Sequence, residues 1–189
     1  MKVAVDVAPL RAQPDDAAEQ VTQTLRGEPL QVEERRDGWA RVVTAYDYPG
    51  WVREDALEEG DGTVELGAAD PIDAARRYLG SPYEWGGMSE RGIDCSGLVH
   101  MAYRAAGQLV PRDAHQQQEA AEPVSDPQPG DLVFYGEGRA DHVAFWLGGG
   151  LAGGRILHAT GRDGLGVVEE AEPERYVARR RGFGRLNSR

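Results

Sequence analysis

A change of hydrophobic period near residue 60 constrains this chain more than any other feature. Before it, apolar residues come in short β-rich runs: Val3 to Val7 ending at Pro9, Leu30 with Val32, WARVV at 39–43, and Trp51-Val52. Asp37-Gly38 reads as a hairpin turn and Pro49-Gly50 as a second turn. No helical period fits this stretch. So many strands in so few residues predict a small all-β barrel over 1–60. Residues 61–69 belong to an acidic, Gly-rich run and read as a linker.

Beyond residue 69 the pattern turns helical. Asp70-Pro71 is a cap with proline at the first helical position, predicting a helix to Leu79. Asp94-Cys95-Ser96 opens a second helix through about Ala106, with Leu98, Ala102, Ala105 and Ala106 as its apolar stripe. After Pro129-Gly130 come LVFY at 132–135, HVAFWLG at 142–148 and RILHA at 155–159. Helices followed by hairpin-connected strands predict an α+β domain over 70–189.

Charge and apolar content exclude several functions. The net charge is −11, and residues 1–68 carry seven basic against fifteen acidic side chains. Such a chain repels phosphate backbones, so no nucleic-acid partner is expected. No run of 18 apolar residues occurs, so no membrane span is expected. The start, MKVAVDVAPLRAQ, lacks the apolar stretch of a signal peptide, and the expected location is the cytoplasm. Six arginines in Arg175–Arg189 read as a solvated surface strand and a frayed end, not a basic patch.

The single cysteine, Cys95, excludes an intrachain disulfide and a Cys-rich zinc site. At a helix start, unpaired N–H groups and the helix dipole favour a thiolate and lower a thiol pKa from its usual ~8.5. A thiol nucleophile also needs a base and a group that orients the base. His100 lies roughly 140° round the same helix and faces away. His115 sits in the polar segment RDAHQQQE. His142 and His158 lie on two β-rich runs separated by Gly148–Gly150, which pair most simply as a hairpin. Cys95, His142 and His158 are therefore the expected nucleophile, base and orienting residue. Metal binding by the two histidines with Asp141 lacks a third inward ligand, since Asp141 should point opposite to His142 on a strand; no metal or cofactor is expected. Asp94 disfavours the thiolate by like-charge repulsion, so it is assigned compensating roles as helix cap and as counter-ion for a cationic substrate group.

SPYEWGG at 81–87, DCSGLVH at 94–100, PGDLVFY at 129–135, DHVAFWLG at 141–148 and ILHA at 156–159 occur in an order that resembles the NlpC/p60 family of bacterial cell-wall cysteine peptidases. The resemblance implies a papain-like catalytic domain in which Cys95 attacks, His142 is the base, His158 orients it, and Tyr83 lies near the oxyanion region. It implies cleavage of the γ-D-glutamyl bond to a diamino acid in peptidoglycan stem peptides. TLRGEPLQV at 24–32, DGWARV at 37–42 and YPGWV at 48–52 resemble a bacterial SH3-like domain. Cytoplasmic enzymes of this architecture act on short murein peptides with a free N-terminal L-Ala. Carried onto matching positions, Asp94 and Ser96 would hold the ammonium, with Tyr48 and Glu28 contributed by the barrel. Glu33 and Glu34 are rivals to Glu28. Two other readings remain at this stage: a catalytically silent module that binds wall peptides, and an amidase or acyltransferase on the same fold.

Overall fold

The computed structural model describes residues 1–150 and 153–186. The chain forms two units: Met1–Glu65 with Trp85–Ser89, and Leu66–Glu84 with Glu90–Arg189.

The first unit is an antiparallel sheet of β1 (Val7–Arg11), β2 (Gln20–Leu25), β3 (Leu30–Arg36), β4 (Trp39–Thr44) and β5 (Pro49–Arg53), in the order β2-β1-β5-β4-β3. The two-residue hairpin expected at Asp37-Gly38 is present, and both residues take positive φ, 52° and 80°. Val3, Leu10, Leu30, Val42 and Val52 fill the interior. Gly50 is required there, because a Cβ would lie 2.9 Å from Leu10 Cβ. The first predicted strand differs from expectation. Lys2–Val3 pairs with Leu57–Glu58, and β1 runs through Pro9 to Arg11. β1 meets β5 only at Arg11 with Trp51, so the N–H that Pro9 lacks is not missed on that side.

The second unit carries α1 (Pro71–Arg76), α2 (Cys95–Ala105), α3 (Ala114–Ala120) and α4 (Glu174–Val177). Its antiparallel sheet comprises β6 (Glu122–Val124), β7 (Leu132–Tyr135), β8 (His142–Gly150), β9 (Gly153–Thr160), β10 (Gly166–Ala171) and β11 (Arg180–Arg185), in the order β6-β11-β7-β8-β9-β10. Alternation along the strands sorts the side chains. Leu132, Phe134, Val143, Phe145 and Leu157 join Leu98, Val99 and Ala102 of α2 in one core. Val133, Tyr135, Ala144, Trp146 and Ile156 form a second core with Tyr176 of α4. With both faces covered, LVFY is buried at every position, which is why it reads as a continuous apolar run.

Several elements differ from the sequence expectation. α1 ends at Arg76, three residues early, and a turn carries the chain to Gly80. On α2 the buried face is Leu98, Val99, Ala102 and Tyr103, while Ala105 and Ala106 are only half-buried. α3, β6 and β10 carry no apolar stripe and escaped the reading. The arginine-rich segment is a strand, but an inner one between β6 and β7. Arg180 pairs with buried Glu172, and Arg185 pairs with buried Asp131 at 2.6 Å. Arg180 is thus partly buried, while Arg181 and Arg185 stay exposed, so the strand is inner in the sheet yet keeps part of its basic surface solvated. Arg189 lies outside the described residues.

Candidate active site

Asp94 caps α2, its Oδ1 accepting from Gly97 N at 2.6 Å, and this places Cys95 at the first helical position. The thiol is buried, and backbone N–H groups of Val143 and Ser96 donate to its sulfur. The contact with Val143 sets Cys95 against β8 at the residue that follows His142. The expected lowering of the thiol pKa does not follow. Burial, with Asp94 adding like charge, pushes the thiol up to about 12, and Arg112 offsets only part of this. Cys95 therefore rests as a neutral thiol and needs a base.

The hairpin of β8 and β9 carries the two histidines expected to act with it. Phe145 pairs with Leu157, so Ala144 stands opposite His158, and His142 is the diagonal neighbour of His158 on the same face. His142 Nε2 lies 2.8 Å from His158 Nδ1. The expected hairpin thus brings the two rings together. Tyr176 stacks on His142 with ring centres 4.8 Å apart and planes 3° from parallel. His142 keeps part of its surface exposed, yet enclosure by these rings, the neighbouring His158 and the Arg179 and Arg175 charges hold its pKa well below 6.5. It is a neutral imidazole at neutral pH. Asp141 turns away from the hairpin to pair with Arg179.

His158 is fully buried, and its Nε2 lies 2.9 Å from Glu170 Oε1 on β10. Glu170 is the next diagonal step: His158 stands opposite Val168, two residues from Glu170. Arg162 donates to both Glu170 oxygens and, with His158, holds that carboxyl below its usual range despite partial burial. Sequence reasoning missed Glu170 because the strand carrying it, GVVEEA, was not expected. Tyr176 was missed for a similar reason, since its short helix lies within the arginine-rich tail.

Arg112 was also missed, and no local pattern marks it. Its buried guanidinium pairs with Asp94 through two bonds of 3.0 and 2.8 Å and donates to Ser96 Oγ at 2.9 Å. Ser96 Oγ lies 3.3 Å from Asp94 Oδ1. Asp94 and Ser96 are therefore brought together, with Arg112 balancing the carboxylate. Tyr83 is half-buried, its backbone bridged to Ile93 beside Asp94. Burial and the nearby Cys95 and Asp94 raise its pKa, so its hydroxyl remains a donor. Gly161 leaves room for it, since a Cβ there would sit 3.3 Å from the Tyr83 ring.

The remaining two candidates belong to the first unit. Glu28 is buried, and its Oε2 accepts from Thr24 Oγ1 at 2.6 Å and Leu25 N at 3.0 Å, closing the turn after β2. Tyr48 is half-buried, its N–H bonded to Thr44 Oγ1 at 3.1 Å and its ring 6.4 Å from that of Tyr46. Glu33, one rival to Glu28, pairs with Arg41 at 3.0 Å.

A cysteine at a helix start, set against the strand whose first residue is a histidine paired to a second polar group, is the layout of papain-like cysteine hydrolases. The NlpC/P60 family profile matches residues 80–180, just over half of the chain, and a bacterial dipeptidyl-peptidase SH3 domain profile matches residues 10–57. The chain belongs to the NlpC/P60 family. It is 35% identical over 133 residues to the gamma-D-glutamyl-L-lysine dipeptidyl-peptidase of Bacillus subtilis strain 168, covering 66% of this chain and 42% of that protein. The Bacillus cereus protein of the same name is 34% identical over 58% of this chain and 36% of its own length. The chain thus spans well under half of these two relatives. Among solved structures, an NlpC/P60 family protein from Bacillus cereus ATCC 10987 superposes over 98% of this chain and 62% of its own, with TM-score 0.57 and 26% identity. The peptidoglycan hydrolase RipB of Mycobacterium tuberculosis covers 64% of both chains, with TM-score 0.54 and 32% identity.

Proposed function

We propose that this chain is a cysteine peptidase that cleaves the γ-D-glutamyl bond to a diamino acid in peptidoglycan stem peptides. What supports the reading is Cys95 at the start of α2, next to the Val143 backbone of β8, with a neutral His142 one residue earlier on that strand and held by His158. In the proposed reaction His142 takes the thiol proton as sulfur attacks the scissile carbonyl. The tetrahedral oxyanion forms near the α2 N-terminus and the Tyr83 hydroxyl. The imidazolium then protonates the leaving amine, and water hydrolyses the acyl-enzyme with His142 again as base. Relatives named gamma-D-glutamyl-L-lysine dipeptidyl-peptidase support the bond and the substrate class.

The finer reading is a short murein peptide with a free N-terminal L-Ala, processed during cytoplasmic wall recycling. It assigns the ammonium to Asp94 and Ser96, and assigns Tyr48 and Glu28 to the same specificity. Because Asp94 already pairs with Arg112, the ammonium has to share that carboxylate with a guanidinium. The test offers L-Ala-γ-D-Glu-diaminopimelate and its N-acetylated form, with dipeptide release followed by mass spectrometry. Cleavage of the free-amine peptide alone is expected. Equal cleavage of both removes the free-amine specificity and retains the peptidase.

A further inference from the structure

We propose that Glu170 is a positioning residue that sets the tautomers of His158 and His142, leaving Nδ1 of His142 as the bare nitrogen that takes the thiol proton. The inference rests on reading His142 as the base and adds the group that determines which of its nitrogens is basic.

The ring hydrogens can be counted along three strands. An ionised carboxylate only accepts, so Glu170 Oε1 at 2.9 Å requires the ring hydrogen of His158 to be on Nε2. A neutral imidazole has one ring hydrogen, and His158 Nδ1 is then bare. At 2.8 Å from His142 Nε2, that nitrogen accepts, so His142 carries its hydrogen on Nε2. His142 Nδ1 is left with its lone pair. Arg162, from the turn before β10, grips both Glu170 oxygens and keeps them as acceptors. The other charges bearing on the pair, Arg175 from α4 and Arg179 just beyond it, favour neutral rings and supply no acceptor. During attack the S–H bond breaks, the Nδ1–H bond forms, and the sulfur electron pair makes the C–S bond. The imidazolium charge is then faced, one ring away, by the Glu170 carboxylate, and no proton has to reach Glu170. The same Nδ1 proton later goes to the leaving nitrogen.

The test is nitrogen NMR of the full chain labelled with ¹⁵N-histidine at neutral pH, alongside kinetics on the free-amine peptide. In the wild type, both His142 and His158 are expected to carry hydrogen on Nε2. Glu170→Gln presents one acceptor to two donors, His158 and Arg162, so a mixed His158 tautomer is expected. A kcat lower by about tenfold or more, with KM within about twofold, should accompany it. Arg162→Gln retains the carboxylate and is expected to leave the tautomers unchanged, whereas a mere ion-pair role predicts that the two variants behave alike. Wild-type His158 protonated on Nδ1, or Glu170→Gln with wild-type tautomers and kcat, overturns the proposal. The wild-type spectrum needs neither a folded variant nor turnover. An inactive wild type with the expected tautomers therefore refutes the peptidase reading while the assignment of the tautomers to Glu170 stands.

Discussion

At the scale of single residues, the proposed chemistry turns on two neutral groups kept so by burial. Cys95 rests as a thiol because desolvation and Asp94 outweigh the helix start, and His142 rests unprotonated because aromatic rings and arginines surround it. A base works only while its lone pair is free. His142 has a depressed pKa, so it remains competent as pH falls through 6.5 and is lost only when pH reaches its lowered value. The acid limb of kcat/KM is therefore expected to have its midpoint below 6.5. A midpoint at or above 6.5 contradicts the enclosure seen here. A capped helix start and a Gly-linked strand pair leave local traces, which is why Cys95, His142 and His158 stand out in the sequence as candidates. Arg112 leaves none: it lies in the loop after α2, and only the folded chain puts its guanidinium on Asp94.

At the scale of elements, the hairpin of β8 and β9 is the part that aligns the two imidazoles, and its glycines make its packing possible. A Cβ on Gly154 would lie 2.1 Å from Trp146 Cη2 and 2.5 Å from the Gly148 carbonyl oxygen. Trp146 is fully buried on the strand that carries His142, so it cannot swing aside. Gly154→Ala is expected to cost about 1–3 kcal/mol in denaturant unfolding and to lower kcat. Gly150→Ala, on the same hairpin with nothing within 4 Å, is expected to change stability by less than about 0.5 kcal/mol. Equal effects from the two would show that the Trp146 contact does not govern the hairpin. The β7–β8–β9 core was readable because its strands are apolar. β10 was not, and β11 was expected only as a surface strand, since Glu170, Arg180 and Arg185 reach the sheet as members of charge pairs that a hydrophobic pattern does not register.

At the scale of the whole molecule, the change of period near residue 60 separates two kinds of construction. An all-β unit is built on Leu10, Val42 and Val52, and an α+β unit on α2 against a six-stranded sheet. Turn chemistry and periodicity alone lead to an expected division into 1–60 and 70–189. The placement of Trp85–Ser89 with the first unit was not foreseen, because Trp85–Gly87 ends the SPYEWGG motif that resembles the catalytic domain. Peptide cleavage by the α+β unit is proposed to run through Cys95. It is tested most directly by release of L-Ala-γ-D-Glu from L-Ala-γ-D-Glu-diaminopimelate by the wild type and by Cys95→Ser, each shown to be folded by circular dichroism. Release by the wild type and a loss of at least about a thousandfold in the near-isosteric variant are expected. Release at the wild-type rate by Cys95→Ser, or none by a folded wild type, would contradict the proposal.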